Sequence, residues 1–306
     1  MRKVAVCIAL VVASVSVSAQ ENPTIVVNVN VVTLLATVRS RDGEIVSNLT
    51  PNDFVLKEDG VPEKIRYFSQ ESDIPLTVGL LVDTSRSQAG VLAQESAASR
   101  IFLGQVLRKE DRAFVMHFDT EAEVLQGPTS SRSNLASTLE HLTIPDRVAT
   151  LLYSAVERSS ARVMGQQRGR KALILLTDGV AWKDPVSINA AIEAAQRADT
   201  ILYSIRFSDP VQARGLVRAA VLKGIKEHGK DALKRMAKET GGASYDVTRK
   251  QTISAIYAQI EEDLRNQYSI GYTPGRNAPD GRYHRIELTT RDRQLVVSAR
   301  DGYYSH

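Results

Sequence analysis

The sequence predicts an α/β protein: a doubly wound, mostly parallel central sheet flanked by an all-β unit built from N- and C-terminal strands. Three observations carry that expectation. Over residues 74–267 short aliphatic runs alternate with stretches of helical period. At both ends the pattern changes to β-branched, partly alternating runs broken by Gly, Pro, Asn and Asp. Finally, the runs 78–82 and 171–176 each lead into a polar turn carrying a carboxylate. Open α/β sheets bind ligands in the crevice at such strand ends.

Taken in order, residues 1–19 read as a signal peptide. Arg2 and Lys3 form a positive start, residues 4–15 an apolar stretch, and Val17-Ser18-Ala19 a small-residue cleavage site. The apolar stretch is too short to span a bilayer. Cys7, the one cysteine, lies inside this leader, so the mature chain would have neither a disulfide nor a thiol for catalysis. An exported chain of that kind fits a bacterial periplasm or exterior.

Residues 20–73 form the expected N-terminal β unit. Its strands are 24–38, a short 44–46, 49–55 and 63–68, with turns at Arg41-Asp42-Gly43 and Glu58-Asp59-Gly60-Val61-Pro62. The tail 268–306 continues with strands at 268–272, 283–290 and 294–299. Each end alone has too few strands to be stable, so the two are expected to pack together beside the central domain, as one sandwich. In that domain, 74–267, helices are expected at 92–107, 133–142, 151–164, 187–198, 232–239 and 252–266. The strands between them fall at 111–119, 123–126 (an edge), 171–176, 201–207 and 243–247.

The chemistry concentrates at the end of the first aliphatic run, Leu80-Leu81-Val82-Asp83-Thr84-Ser85-Arg86-Ser87. One carboxylate and two hydroxyls at alternate positions suit a hard cation, which takes oxygen ligands. They also suit an ordinary turn. Two further stretches support the cation: Thr150 opens a helical pattern, and the run ending Leu176-Thr177-Asp178-Gly179 supplies a second carboxylate.

Asp-x-Ser-x-Ser, a Thr opening a helix, and a strand ending Thr-Asp-Gly, in that order, resemble the von Willebrand factor type A domain. The resemblance implies a Rossmann-like sheet and a metal-ion-dependent adhesion site. Ser85, Ser87 and Thr150 would be its hydroxyl ligands, with Asp83 and Asp178 acting directly or through water. This chain departs from the family at Val148-Ala149-Thr150, where Gly-Gly-Thr is usual, and at Ser154, where an Asp is usual. The leader, both β ends and the Thr240-Gly241-Gly242 turn together resemble an exported bacterial family related to the type A domain.

Two carboxylates and three hydroxyls roughly neutralise a divalent ion. Mg²⁺, which favours octahedral geometry and keeps water ligands, is the expected cofactor, with Mn²⁺ and Ca²⁺ as alternatives. Its exchangeable position would accept an Asp or Glu from a protein partner. The function expected is therefore non-enzymatic binding. The rivals are an envelope scaffold with a stabilising metal and, less favoured, metal-assisted hydrolysis.

Arg86, within the metal turn, is a candidate to steer an acidic ligand, and Trp182 reads either as a partner anchor or as surface packing. The segment 211–230 carries Arg214, Arg218, Lys223, Lys226 and Lys230 beside apolar residues at helical spacing, the pattern of an amphipathic surface helix. His117 reads as structural, and no histidine pair has ligand spacing. No nucleophile elbow or phosphate-binding loop is present, and Gly165 to Arg170 joins a helix to a strand, the wrong order for a dinucleotide site. A formal net charge of +4, two units of it in the leader, leaves no footprint for nucleic acid.

Overall fold

The structure, a computed structural model, describes residues 31–70, 74–146, 148–207, 216–275 and 280–305. The leader expected at 1–19, the start of the strand expected at 24–38 and residues 211–215 of the basic segment lie outside the described residues.

Strands β1 (Val32–Arg39), β2 (Phe54–Glu58), β3 (Val61–Glu63) and β4 (Ile65–Ser69) precede the α/β domain. The strand expected at 44–46 is reduced to one bridge between Arg39 and Ile45. The Tyr268 hydroxyl accepts from Leu49 N at 3.0 Å and donates to Val46 O at 2.9 Å, which draws this stretch away from the sheet. The run expected as a strand over 49–55 becomes extended only at Phe54, because Pro51 starts a short 3₁₀ turn over Pro51–Asp53.

The central sheet is built from β5 (Leu76–Asp83), β6 (Arg112–Phe118), β7 (Ala122–Thr129), β8 (Arg170–Thr177), β9 (Ile201–Arg206) and β10 (Ser244–Asp246). They lie in the order β10-β9-β8-β5-β6-β7. All neighbours are parallel except β6 and β7, so the expected edge strand closes the sheet as an antiparallel pair. Every residue of β5 is buried, as a central strand covered on both faces requires.

Among the described residues, six α-helices cover the two faces: α1 (Leu92–Val106), α2 (Arg132–Glu140), α3 (Leu152–Arg158), α4 (Ile188–Arg197), α5 (Leu216–Thr240) and α6 (Ile253–Arg265). Leu76, Val78, Leu80 and Val82 of β5 point into a core completed by Phe102 of α1, Leu135 of α2 and Tyr257 of α6. Leu81 and Phe114 point the other way, against Leu152 of α3, Ile192 of α4 and Leu233 of α5. The helix expected over 151–164 is α-helical only to Arg158, after which the chain widens into a π turn over Ser159–Val163. The helix expected at 232–239 and most of the basic segment merge into the single 25-residue α5. Neither Gly224 nor Gly229 is enough to break it.

After α6 come β11 (Tyr268–Tyr272), β12 (Tyr283–Thr290), β13 (Val296–Ala299) and β14 (Gly302–Tyr304), the last not foreseen. Strands from the two chain ends interleave as β13-β1-β11-β4 and β14-β12-β2-β3. The sheets share one core: Leu34, Val38, Tyr268 and Ile270 from the first meet Phe54, Leu56, Ile286 and Leu288 from the second. The flanking unit is therefore a sandwich that neither end could form alone.

Candidate metal centre

Strand order places the site. The sheet runs outward from β5 to β6 on one side and from β8 to β9 on the other, so the crevice opens where β5 and β8 end. Asp83 is the last residue of β5, and Asp178 follows the last residue of β8.

Asp83 is fully buried and held from two directions. Its Oδ1 accepts from Ser85 N at 2.9 Å, an Asx turn that sets the loop, and its Oδ2 accepts from Thr177 Oγ1 at 2.6 Å. The same turn brings Ser85 Oγ and Ser87 Oγ to 3.1 Å of each other. Ser85 is buried, whereas Ser87 and Arg86 face solvent. Asp178 closes a matching turn, accepting from Val180 N at 3.0 Å. Gly179, at φ +86°, lies so close to α5 that a Cβ there would sit 2.6 Å from Gly229 O. Only glycine satisfies both the backbone angle and the approach.

Thr150 is tied to the loop beyond Asp178. It exchanges two backbone hydrogen bonds with Trp182, at 2.9 and 3.1 Å, and Leu151 N donates to Asp119 O at 2.9 Å. Asp184 then fixes the start of α3: it accepts from Tyr153 N at 2.7 Å, Ser154 N at 3.1 Å and Ser154 Oγ at 2.6 Å. At Ser154, where the resemblance implies an Asp, a carboxylate is thus supplied by Asp184 from across the loop.

A second tie runs behind the first turn. Thr84 Oγ1 donates to Asp119 Oδ2 at 2.7 Å and lies 3.1 Å from His117 Nδ1. His117 is partly buried in β6 and serves this network, in keeping with a structural role. Arg86 extends outward, its guanidinium 3.9 Å from the exposed Asp146, and the Trp182 residue is half exposed.

Burial pushes the Asp83 carboxyl up to about 7, with Asp178 adding to the rise and the Ser85 and Thr177 hydrogen bonds opposing it. Glu95, in the first turn of α1, is fully buried and is pushed up to about 8 by burial, then by Asp83 and Asp178. The Asp83 and Asp178 turns and Glu95 thus bring carboxyl and hydroxyl oxygens together. That set fits a hard divalent cation. Sequence reasoning missed Glu95 and Asp184. Glu95 had a readable signal, a carboxylate on the helical face shared with Ala98, Ser99 and Phe102. Asp184 had none, because its partners are thirty residues away.

A second cluster lies in the sandwich. His284 Nδ1 is 2.9 Å from Asp59 Oδ2 and 3.6 Å from Glu58 Oε1, and its Nε2 is 3.1 Å from Asp280 Oδ1. With both ring nitrogens against carboxylates, this is the arrangement of an imidazolium clamp between β12 and the turn after β2.

Residues 78–180 match the family model of the von Willebrand factor type A domain. The chain carries a von Willebrand factor type A domain. No curated protein matches the sequence. Among solved structures, the proximal thread matrix protein 1 from the mussel byssus superposes with a TM-score of 0.53 at 13% identity, covering 68% of this chain and 51% of that one. A form of the same protein with a zinc-occupied MIDAS motif gives 0.49 at 13% identity, over 69% and 50%. A conserved hypothetical protein, BatB from Bacteroides thetaiotaomicron, gives 0.48 at 17% identity, over 62% and 99%. Among the described residues, no helix is long and apolar enough to cross a membrane.

Proposed function

We propose that the type A domain binds a divalent cation, Mg²⁺ foremost, through Asp83, Ser85, Ser87, Thr150 and Asp178, and uses it to capture an acidic group of a protein partner. The observation that carries this reading is the convergence of the Asp83 and Asp178 turns at the switch point, with Ser87 on the open side. When bound, the cation supplies a positive centre with an exchangeable position. The chain's own part is to hold the oxygens in place: Thr177 fixes Asp83, and the Trp182 bridge fixes Thr150. Arg86 and Trp182 flank the opening and would add steering and contact area. The role is binding rather than catalysis, and the mature protein is exported after loss of residues 1–19. Its units are 20–73 and 268–306 in the sandwich and 74–267 in the type A domain.

A peptide array incubated with the mature protein tests this reading. In Mg²⁺, the retained peptides should contain Asp or Glu, and retention should vanish with Asn or Gln in their place, with chelator, or in Asp83→Ala. Binding that ignores both chelator and the acid would overturn acidic capture and leave the cation a scaffolding role. Zn²⁺ and Mn²⁺ arms identify the preferred ion.

A further inference from the structure

We propose that Glu95 is a third carboxylate of the cation centre, neutralised by the bound ion rather than by any side chain of the protein. This rests on the reading of Asp83, Ser85, Ser87, Thr150 and Asp178 as a cation site, and extends it to α1.

The argument starts from an unmet electrostatic demand. Glu95 has no exposure to solvent, and neither carboxylate oxygen has a hydrogen-bond partner among the described residues. A buried carboxyl without a hydrogen-bond partner is unfavourable in either protonation state, and most so when ionised. The charged groups whose fields act on it, Asp83 and Asp178, are both acids and worsen that cost. The Tyr257 hydroxyl, close enough to feel the Glu95 charge, pairs with Ser99 Oγ at 2.7 Å. Gln88 adds to the imbalance, being buried with Oε1 unpartnered while its Nε2 lies 3.3 Å from Ser87 Oγ. Glu95 and Gln88 thus leave three buried side-chain oxygens without hydrogen donors beside the Asp83 and Ser87 turn. A hard divalent cation is the ligand that satisfies such a set. Three carboxylates around a divalent ion leave one net negative charge, so Glu95 strengthens retention of the ion.

Calorimetric titration of chelator-stripped wild type, Glu95→Gln and Asp83→Ala with Mg²⁺ tests this, with thermal unfolding run alongside. The outer partners of metal ligands commonly account for about 10–100-fold in affinity. The expected result is a loss of about tenfold or more in Glu95→Gln and no binding in Asp83→Ala. Metal-free Glu95→Gln should unfold at or near the wild-type temperature, because the carboxyl it replaces has no hydrogen-bond partner to lose, while its rise on adding Mg²⁺ shrinks. A merely structural glutamate would lower the metal-free midpoint instead. Wild-type affinity in Glu95→Gln, with Asp83→Ala unable to bind, overturns the role of Glu95 and leaves the cation centre standing. Absence of binding by wild type overturns both. Should Glu95→Gln not fold, Glu95→Asp keeps the charge but withdraws it by one methylene, and unchanged affinity there overturns the proposal.

Discussion

At the scale of single residues, Ser154 and Asp184 show how the loop after Thr150 is held. Asp184 accepts three hydrogen bonds from the first turn of α3 and so acts as its cap from outside the helix. Asp184→Ala should lower stability by about 1–2 kcal/mol in denaturant unfolding. It should also weaken Mg²⁺ binding, because Thr150 immediately precedes that turn. Unchanged Mg²⁺ affinity would show that Thr150 is positioned by the Trp182 bridge alone. The Asp-x-Ser-x-Ser turn was legible in the sequence because its logic is local: Asp83 bonds a backbone two residues away. Glu95 and Asp184 act across the fold, and only tertiary structure gives them neighbours.

At the scale of elements, the crossing of α5 over the Asp178 turn sets how closely that turn can be held. Gly229 and Gly179 meet backbone to backbone, and a Cβ on Gly229 would lie 2.8 Å from Gly179 C and O. Gly229→Val should therefore destabilise by more than ~1 kcal/mol and reduce cation affinity through displacement of Asp178. The same substitution at Gly224, where a Cβ meets nothing within 4 Å, is the control and should leave cation affinity unchanged. Strands and helices of the central domain were legible because burial on two faces gives continuous aliphatic runs, as in β5 and β8. The continuous α5 was less so. Its basic residues gave an amphipathic pattern, but the packing of Gly229 on Gly179 is a long-range fact. Lys230, counted with the solvated basic face, pairs with Asp246 at 2.7 Å.

At the scale of the whole molecule, the two chain ends are bound into one sandwich, and the His284 clamp ties β12 to the turn after β2. The hydrogen bond to Asp59 foremost, and that to Asp280 as well, raise His284 above its ordinary value of 6.5, against the opposing effect of burial. Glu58, Asp59, Asp280 and the Tyr303 ring surround it. A raised folded pKa means the stabilisation is fully present below about 6.5 and is lost as pH climbs through the folded value. The thermal midpoint should fall across that interval in wild type, and the fall should flatten in His284→Asn. An identical pH profile in the two proteins would remove the clamp from the account. That the ends pack together was legible from their shortage of strands, whereas the interleaved order β13-β1-β11-β4 was not, since alternation specifies a face but no neighbour.

The central claim is that Asp83 and its companions hold a divalent cation. It is tested most directly by calorimetric titration of the chelator-stripped protein with Mg²⁺, beside Asp83→Ala. The account predicts saturable binding by wild type, none by the variant, and a native circular dichroism spectrum for both. Equal heats from the two proteins, or none from wild type, would contradict it.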